Sequence, residues 1–156
     1  MLQVNALFSL RNFFLFALVI TGITWTTPAS KCHEINAKGK GVTIEATQTG
    51  VITEADIIGG GLLNGTTRAE FYFVGNDGGV ISFLGELVLS TKHGSVTYQA
   101  TSGTFNTSTL AFSTDLYVVD GDGRFQGAAG NLHIEGVNFP DGSFTENLTG
   151  EICISK

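Results

Sequence analysis

The sequence predicts an all-β fold, either a sandwich or a barrel, for the chain that follows residue 31. Runs of β-branched and aromatic residues recur about every ten residues, which is typical of these two architectures. Gly, Asn and Asp separate the runs, and helical periodicity is missing. Glycine is abundant, with 21 residues among 156, as suits the bends and bulges of a small β-domain. We read strands at 32–38, 42–48, 52–63, 66–74, 79–91, 94–101, 110–119, 130–138 and 143–154.

The N-terminal segment has the three parts of a secretory signal peptide. Arg11 supplies the positive charge, residues 13–23 form an apolar run, and small residues at 27–30 offer a cleavage site. The apolar run is short for a membrane-spanning helix, which needs about 20 apolar residues. We predict a signal peptide at 1–30 and a secreted or periplasmic product, with an uncleaved N-terminal anchor as the alternative.

The remaining residues, 31–156, have the size of one domain. The whole chain has eight basic side chains against fourteen carboxylates, a formal net charge of −6. No basic patch of the kind that binds nucleic acid is evident, so we predict no nucleic-acid partner. We also predict no stable membrane span after signal cleavage. Lys31 stands where a lipidated Cys32 would need a small residue before it, which argues against a lipid anchor.

Two cysteines lie near the two ends of the predicted mature chain. In an oxidising compartment, Cys32 and Cys153 predict one disulfide that joins the termini, and two free thiols are the alternative. The bond would hold their Cα atoms within about 7 Å of each other. The first and last strands would then be neighbours, as in a closed barrel or in a sandwich with adjacent ends.

Three short turn sequences predict antiparallel hairpins. Residues 76–79 (NDGG) join two apolar strands, residues 93–94 (HG) join the next pair, and residues 140–142 (PDG) join the last pair.

In the strand at 80–90, apolar side chains occupy both faces. One face would line the interior, and the other needs a cover, for which a second subunit is the simple candidate. We therefore predict a homo-oligomer.

The segment Gly121–Gly130, GDGRFQGAAG, resembles the G-x-G-R-F-x-G-A-x-G turn of the allene oxide cyclase and dirigent barrel superfamily. Residues 61–67 (GLLNGTT) and 142–153 (GSFTENLTGEIC) are similar to the same superfamily, and in particular to its secreted bacterial members. The similarity covers most of residues 32–154.

This resemblance implies a single antiparallel β-barrel of about eight strands with an apolar lumen, and it implies assembly as a dimer or a trimer. Members of the superfamily steer the cyclisation or radical coupling of small apolar molecules, chiefly by shaping them. The shared turn is a structural feature, so the resemblance assigns no catalytic residue to this chain. It implies no cofactor.

Two carboxylates are candidate catalytic residues, because each shares a strand face with apolar side chains. Burial of Glu86 or Glu146 in an apolar wall would raise its pKa and let it act as an acid or bind a polar group of a ligand. The alternative is a solvated position at a rim or an interface. Tyr72, Tyr98 and Tyr117 are candidate ligand-binding residues inside the lumen; the alternative is structural burial with a satisfied hydroxyl.

One strand also carries two polar ligand-binding candidates on the same side. His133 and Glu135 could form an acid and base pair or supply two metal ligands, and the alternative is a solvated polar face. No second pair of ligands clusters in the sequence, so we predict no metal. Residues 120–123 (DGDG) lack the spacing of a calcium loop and of a dinucleotide fingerprint, so we predict no cofactor.

Three functions stay open at this point. The first is a secreted β-barrel that binds a small apolar molecule in its lumen, since barrels of about eight strands can hold one small ligand. The second is a cyclase or isomerase of the allene oxide cyclase-like type. The third is a structural surface protein that self-assembles through an apolar outer face.

Overall fold

The computed structural model describes residues 30–155, and these form a closed barrel of eight antiparallel strands. The barrel architecture predicted for this part of the chain is therefore confirmed. The predicted signal peptide lies outside the described residues, apart from Ser30. Two short 3-10 helices, Gly61–Leu63 and Gly123–Phe125, interrupt the meander. The strands are β1 (Ser30–Ala46), β2 (Gly50–Ile58), β3 (Gly65–Asp77), β4 (Val80–Thr91), β5 (Gly94–Asn106), β6 (Ala111–Gly121), β7 (Ala129–Asn138) and β8 (Ser143–Ser155).

Closure of the barrel depends on the pairing of its first and last strands. β1 pairs with β8 over thirteen residue pairs, from Ser30 opposite Ser155 to Val42 opposite Ser143. Cys32 lies directly opposite Cys153 in this ladder, and the two residues form a disulfide with their Cα atoms 3.8 Å apart. The predicted disulfide is confirmed, and so are the three hairpins, β3–β4, β4–β5 and β7–β8.

The division of residues 32–48 into two strands is wrong. The sequence Lys38-Gly39-Lys40-Gly41 suggests a turn, yet β1 runs straight through it. Gly39 and Gly41 take inward-facing positions in that strand, where a methyl group at either site would overlap a side chain of β8. The glycines are therefore required by close packing inside the barrel, and nine predicted strands become eight.

Alternation along each strand separates the core from the outer surface. In β4, Phe83, Leu87 and Leu89 point inward and are buried, whereas Leu84 and Val88 lie half-exposed outside. The same rule holds around the barrel, and the buried apolar side chains other than Phe83 form one cluster. Its largest fully buried members are Tyr98, Phe125, Ile57, Leu89, Ile134, Leu148, Ile152 and Val96.

The turn at Gly121–Gly130 seals one end of the barrel. Asp122 accepts hydrogen bonds from the backbone N–H of Ser95 at 2.7 Å and from its hydroxyl at 2.8 Å, which fixes the turn on the β4–β5 hairpin. Gly123 has a φ of +56° and lies against the carbonyl of His93, where a side chain would be strained and crowded. The turn thereby directs Phe125 into the core, where it is fully buried, a burial that stabilises the fold by about 2 kcal/mol.

The part of the chain that the structure describes contains no helix long and apolar enough to cross a membrane.

Candidate functional site

A cavity of about 230 Å³ occupies the barrel interior at the end opposite Phe125. It lies beneath the connections β1–β2, β3–β4, β5–β6 and β7–β8, and it opens toward solvent there. The lumen is therefore filled by side chains at the disulfide end and hollow at the other. Six phenylalanines dominate the lining: Phe71, Phe73, Phe83, Phe105, Phe112 and Phe144.

Glycines on neighbouring strands make room for these rings. A methyl group at Gly103 would overlap the ring of Phe83, and one at Gly136 would overlap the ring of Phe112. The rings also contact one another, since Phe112 and Phe144 meet edge to face with centroids 5.9 Å apart. Such pairs add about 0.5–1.5 kcal/mol beyond their buried area. The positions of the rings are thus set by glycines on the neighbouring strands, which leave space for them, and by contacts between the rings.

Among the described residues, Glu146 is the one ionisable side chain of the cavity lining. It points inward from β8 and is only 8% exposed. Its neighbours across the two ladders are glycines, Gly39 on β1 and Gly136 on β7. A methyl group at Gly39 would overlap the Glu146 carboxyl, so the glycine provides the space in which this side chain lies. No residue among 30–155 donates a hydrogen bond to the carboxyl or pairs with it.

Burial raises the pKa of Glu146 from 4.5 to about 7. The cause is the loss of water around the charged form, because the surrounding wall is apolar and supplies no compensating charge. Near neutral pH the group is divided between its acid and its carboxylate. It can therefore donate a hydrogen bond or a proton, or accept one, within the same pH range.

Of the two acids singled out in the sequence, only Glu146 lies in the lumen. Glu86 is exposed on the outer face of β4, opposite Glu70 on β3 and Gln99 on β5. Its apolar companions Leu84 and Val88 belong to that outer face, so Glu86 takes the solvated position that was its alternative, and its candidacy as a buried acid is wrong. The apolar strand face that carries Glu146 points into the barrel, whereas the one that carries Glu86 lies on the outer surface.

The three tyrosines divide in the same way. Tyr72 and Tyr117 are 51% and 45% exposed on the outside, so their predicted lumen positions are wrong. Tyr72 alternates with Phe71 and Phe73, which take the inward positions of β3. Tyr98 is fully buried inside, where burial raises the pKa of its hydroxyl, and that hydroxyl has no hydrogen-bond partner among residues 30–155. It lies in the packed core and does not line the cavity.

The His133 and Glu135 side chains lie on the outer face of β7, away from the cavity. His133 Nδ1 is 2.6 Å from Asp115 Oδ1 on β6, so its partner is not Glu135. This contact, together with one from Ser102, lowers the pKa of Asp115. The Asp115 contact could not be predicted from the sequence, because it arises from the register between β6 and β7. The outer location matches a solvated polar face.

Within residues 30–155, the one cluster of three potential metal ligands is Cys32, Cys153 and Glu151. Its two sulfurs are joined in the disulfide, so neither is available as a thiolate ligand.

The other residues of the cavity lining were not among the candidates chosen from the sequence. Phe105 and Phe112 lie near strand ends, where the alternation is too short to assign a face. Small polar side chains complete the lining, and their hydroxyl and amide groups offer weak hydrogen bonds to a ligand. They are Thr43, Thr53, Thr67, Thr114 and Asn138.

No protein-family model and no curated protein matches this chain. The resemblance to the allene oxide cyclase and dirigent barrels therefore stays a prediction, and the site is interpreted from its own geometry.

Proposed function

We propose that this chain is a secreted β-barrel protein that binds a small, mainly apolar molecule in its lumen. The observation that carries the proposal is the phenylalanine-lined cavity with one buried carboxyl at its wall. Binding sites of this kind are apolar, concave and furnished with a few polar groups that orient the ligand. The disulfide between Cys32 and Cys153 is compatible with an oxidising compartment, which supports secretion.

The cavity volume limits the size of the ligand. An engineered apolar cavity of about 150 Å³ holds benzene, so about 230 Å³ suits a molecule with one ring and a short substituent. The rings of the wall favour an aromatic or cyclic body through stacking and edge contacts. The polar part of the ligand would face Glu146.

Binding can be tested by NMR titration of the purified protein with toluene and benzyl alcohol. We expect saturable shifts of the methyl and ring signals that line the cavity. Thr67 lines the cavity and its neighbour Thr66 is exposed, so Thr67→Phe should weaken binding at least tenfold and Thr66→Phe should not. Ala69→Leu provides a second, smaller obstruction should Thr67→Phe fold poorly. The absence of saturable binding of either compound to the wild-type protein would refute the proposal.

A second candidate is a cofactor-independent cyclase or isomerase, and Glu146 is the observation that favours it. A carboxyl with a pKa of about 7 in an apolar cavity can protonate a bound molecule and recover the proton at neutral pH. The test is to follow a bound cyclic epoxide or enol ether by NMR. Rearrangement that Glu146→Gln abolishes while binding persists would support an enzyme. Ligands that are bound and released unchanged would favour simple binding.

A further inference from the structure

The electrostatics of the cavity are one-sided. Within residues 30–155, Glu146 is the one ionisable group on its lining. Gly39 and Gly136 face it from the adjoining strands β1 and β7. The lining residues of β2 to β6 are alanine, valine, leucine, phenylalanine and threonine, so none of them brings a charge toward the carboxyl. Among the described residues, no cation lies beside the ionised form of Glu146 and no side chain donates a hydrogen bond to it.

Resting on the proposed ligand binding, we propose that the ligand is a small amine with an apolar body, whose ammonium group pairs with the Glu146 carboxylate inside the phenylalanine wall. The apolar body would fill the remaining volume of the cavity.

The wall suits a cation as well as an apolar body. The face of an aromatic ring carries negative electrostatic potential, and an ammonium group within about 6 Å of it is attracted, most strongly when water is excluded. The six phenylalanines that line the same cavity as Glu146 can provide such faces. An anionic ligand gains from neither the rings nor Glu146, and a neutral ligand gains only from apolar contact.

The unbalanced carboxylate gives the amine its advantage. Leaving one ionised carboxyl buried without a partner is costly, and this cost is what raises the pKa of Glu146 to about 7. A bound ammonium group replaces the missing partner and removes much of that cost. Binding of the amine should in turn lower the pKa of Glu146, because the two effects are linked.

The approach to the cavity is also suited to cations. The four connections above it carry Asp141 and adjoin Asp77 at the end of β3, and they contain no lysine or arginine. The chain as a whole has a net charge of −6. A field of this sign concentrates cations near the opening and repels anions.

The test compares three ligands of similar size, benzylamine, benzyl alcohol and benzoate, by calorimetry and NMR at pH 8 and pH 5. We expect benzylamine to bind at least tenfold more tightly than benzyl alcohol at pH 8, with no measurable binding of benzoate. At pH 5 benzylamine stays protonated while Glu146 becomes neutral, so its affinity should fall at least tenfold. The signal of the Glu146 carboxyl carbon should titrate at lower pH when benzylamine is bound.

Two variants with the same change in net charge separate the local effect from the general field. Glu146→Gln should abolish the preference for benzylamine, whereas Glu86→Gln on the outer face should preserve it. Equal binding of benzylamine and benzyl alcohol at pH 8 would overturn the amine proposal and leave the lumen-binding proposal intact. Tighter binding of benzoate would also overturn it. If none of the three ligands binds, the proposed function itself fails, and the amine proposal with it.

Discussion

Replacing Glu146 by glutamine should make the protein more stable at alkaline pH and leave its stability almost unchanged in acid. Glutamine has nearly the same shape as glutamic acid and stays neutral at every pH. The substitution therefore removes the cost of ionising a buried carboxyl without opening a cavity. The apolar wall and the glycines at positions 39 and 136 would be unaffected.

The magnitude follows from the pKa of the buried group. In the folded protein the pKa of Glu146 rises from 4.5 to about 7, so the folded state binds the proton more tightly than the unfolded state. Below pH 4.5 Glu146 is neutral in both states, and the wild-type protein has its full stability. As the pH rises from 4.5 to 7, the free energy of unfolding falls, because the unfolded state can ionise this group more easily than the folded state. At about 1.4 kcal/mol for each tenfold difference in proton affinity, the loss amounts to about 3 kcal/mol, and the glutamine variant avoids it.

Urea unfolding followed by circular dichroism at pH 4, 6 and 8 measures the effect. We expect the free energies of unfolding of the two proteins to agree at pH 4 and to differ by about 3 kcal/mol at pH 8, in favour of the variant. Glu86→Gln is the matched control, since Glu86 is exposed, and it should give no such divergence. A constant difference between wild type and Glu146→Gln across the pH range would refute the burial of an unpaired carboxyl.

Other parts of the barrel give independent predictions. Gly41→Ala should destabilise the fold by about 1–3 kcal/mol, because its methyl group would overlap Phe144 and the backbone carbonyl of Glu54. Gly75→Ala would place its methyl group at an ordinary contact distance of 3.9 Å from Ser82 Cβ and should stay within about 0.5 kcal/mol of wild type in the same urea titration; equal effects of the two substitutions would contradict the packing argument. Replacing both Cys32 and Cys153 by serine opens a loop spanning 121 positions and should cost about 5 kcal/mol in the chain-entropy model. An unchanged urea midpoint would contradict that expectation. Exposed apolar side chains such as Val74 on the outer face lead us to expect a dimer or trimer by light scattering, and a clean monomer would contradict self-assembly.

The positions of strands and turns could be predicted because they depend on local chemistry. Alternation in β3 correctly separated Phe71 and Phe73 from Glu70 and Tyr72, since a strand turns successive side chains to opposite faces. The turn residues at 76–79 and 140–142 marked two hairpins. The Gly39–Gly41 stretch was misjudged, because a glycine required for a turn and a glycine required for close packing have the same sequence signal. The predicted strand at 52–63 was also too long, since β2 ends at Ile58 and a 3-10 helix occupies Gly61–Leu63.

The choice between inside and outside could not be made locally. Glu86 and Glu146 each alternate with apolar residues, and Tyr72 and Tyr98 each lie in a β-rich run. Whether each of these side chains lies inside or outside depends on which face of its strand the closed barrel encloses. The Asp115 contact with His133 likewise depends on the register between two strands.

The sequence by itself determined an antiparallel β-domain, its hairpins and the pairing of its two cysteines, because these follow from side-chain alternation, turn chemistry and cysteine count. Only the tertiary structure decided that the lumen is filled at the Phe125 end and hollow at the other. Only closure of β1 on β8 placed Glu146 against Gly39, within an apolar wall that raises its pKa. The site exists because distant strands enclose one carboxyl and remove most of the water around it, and that enclosure is a property of the closed barrel.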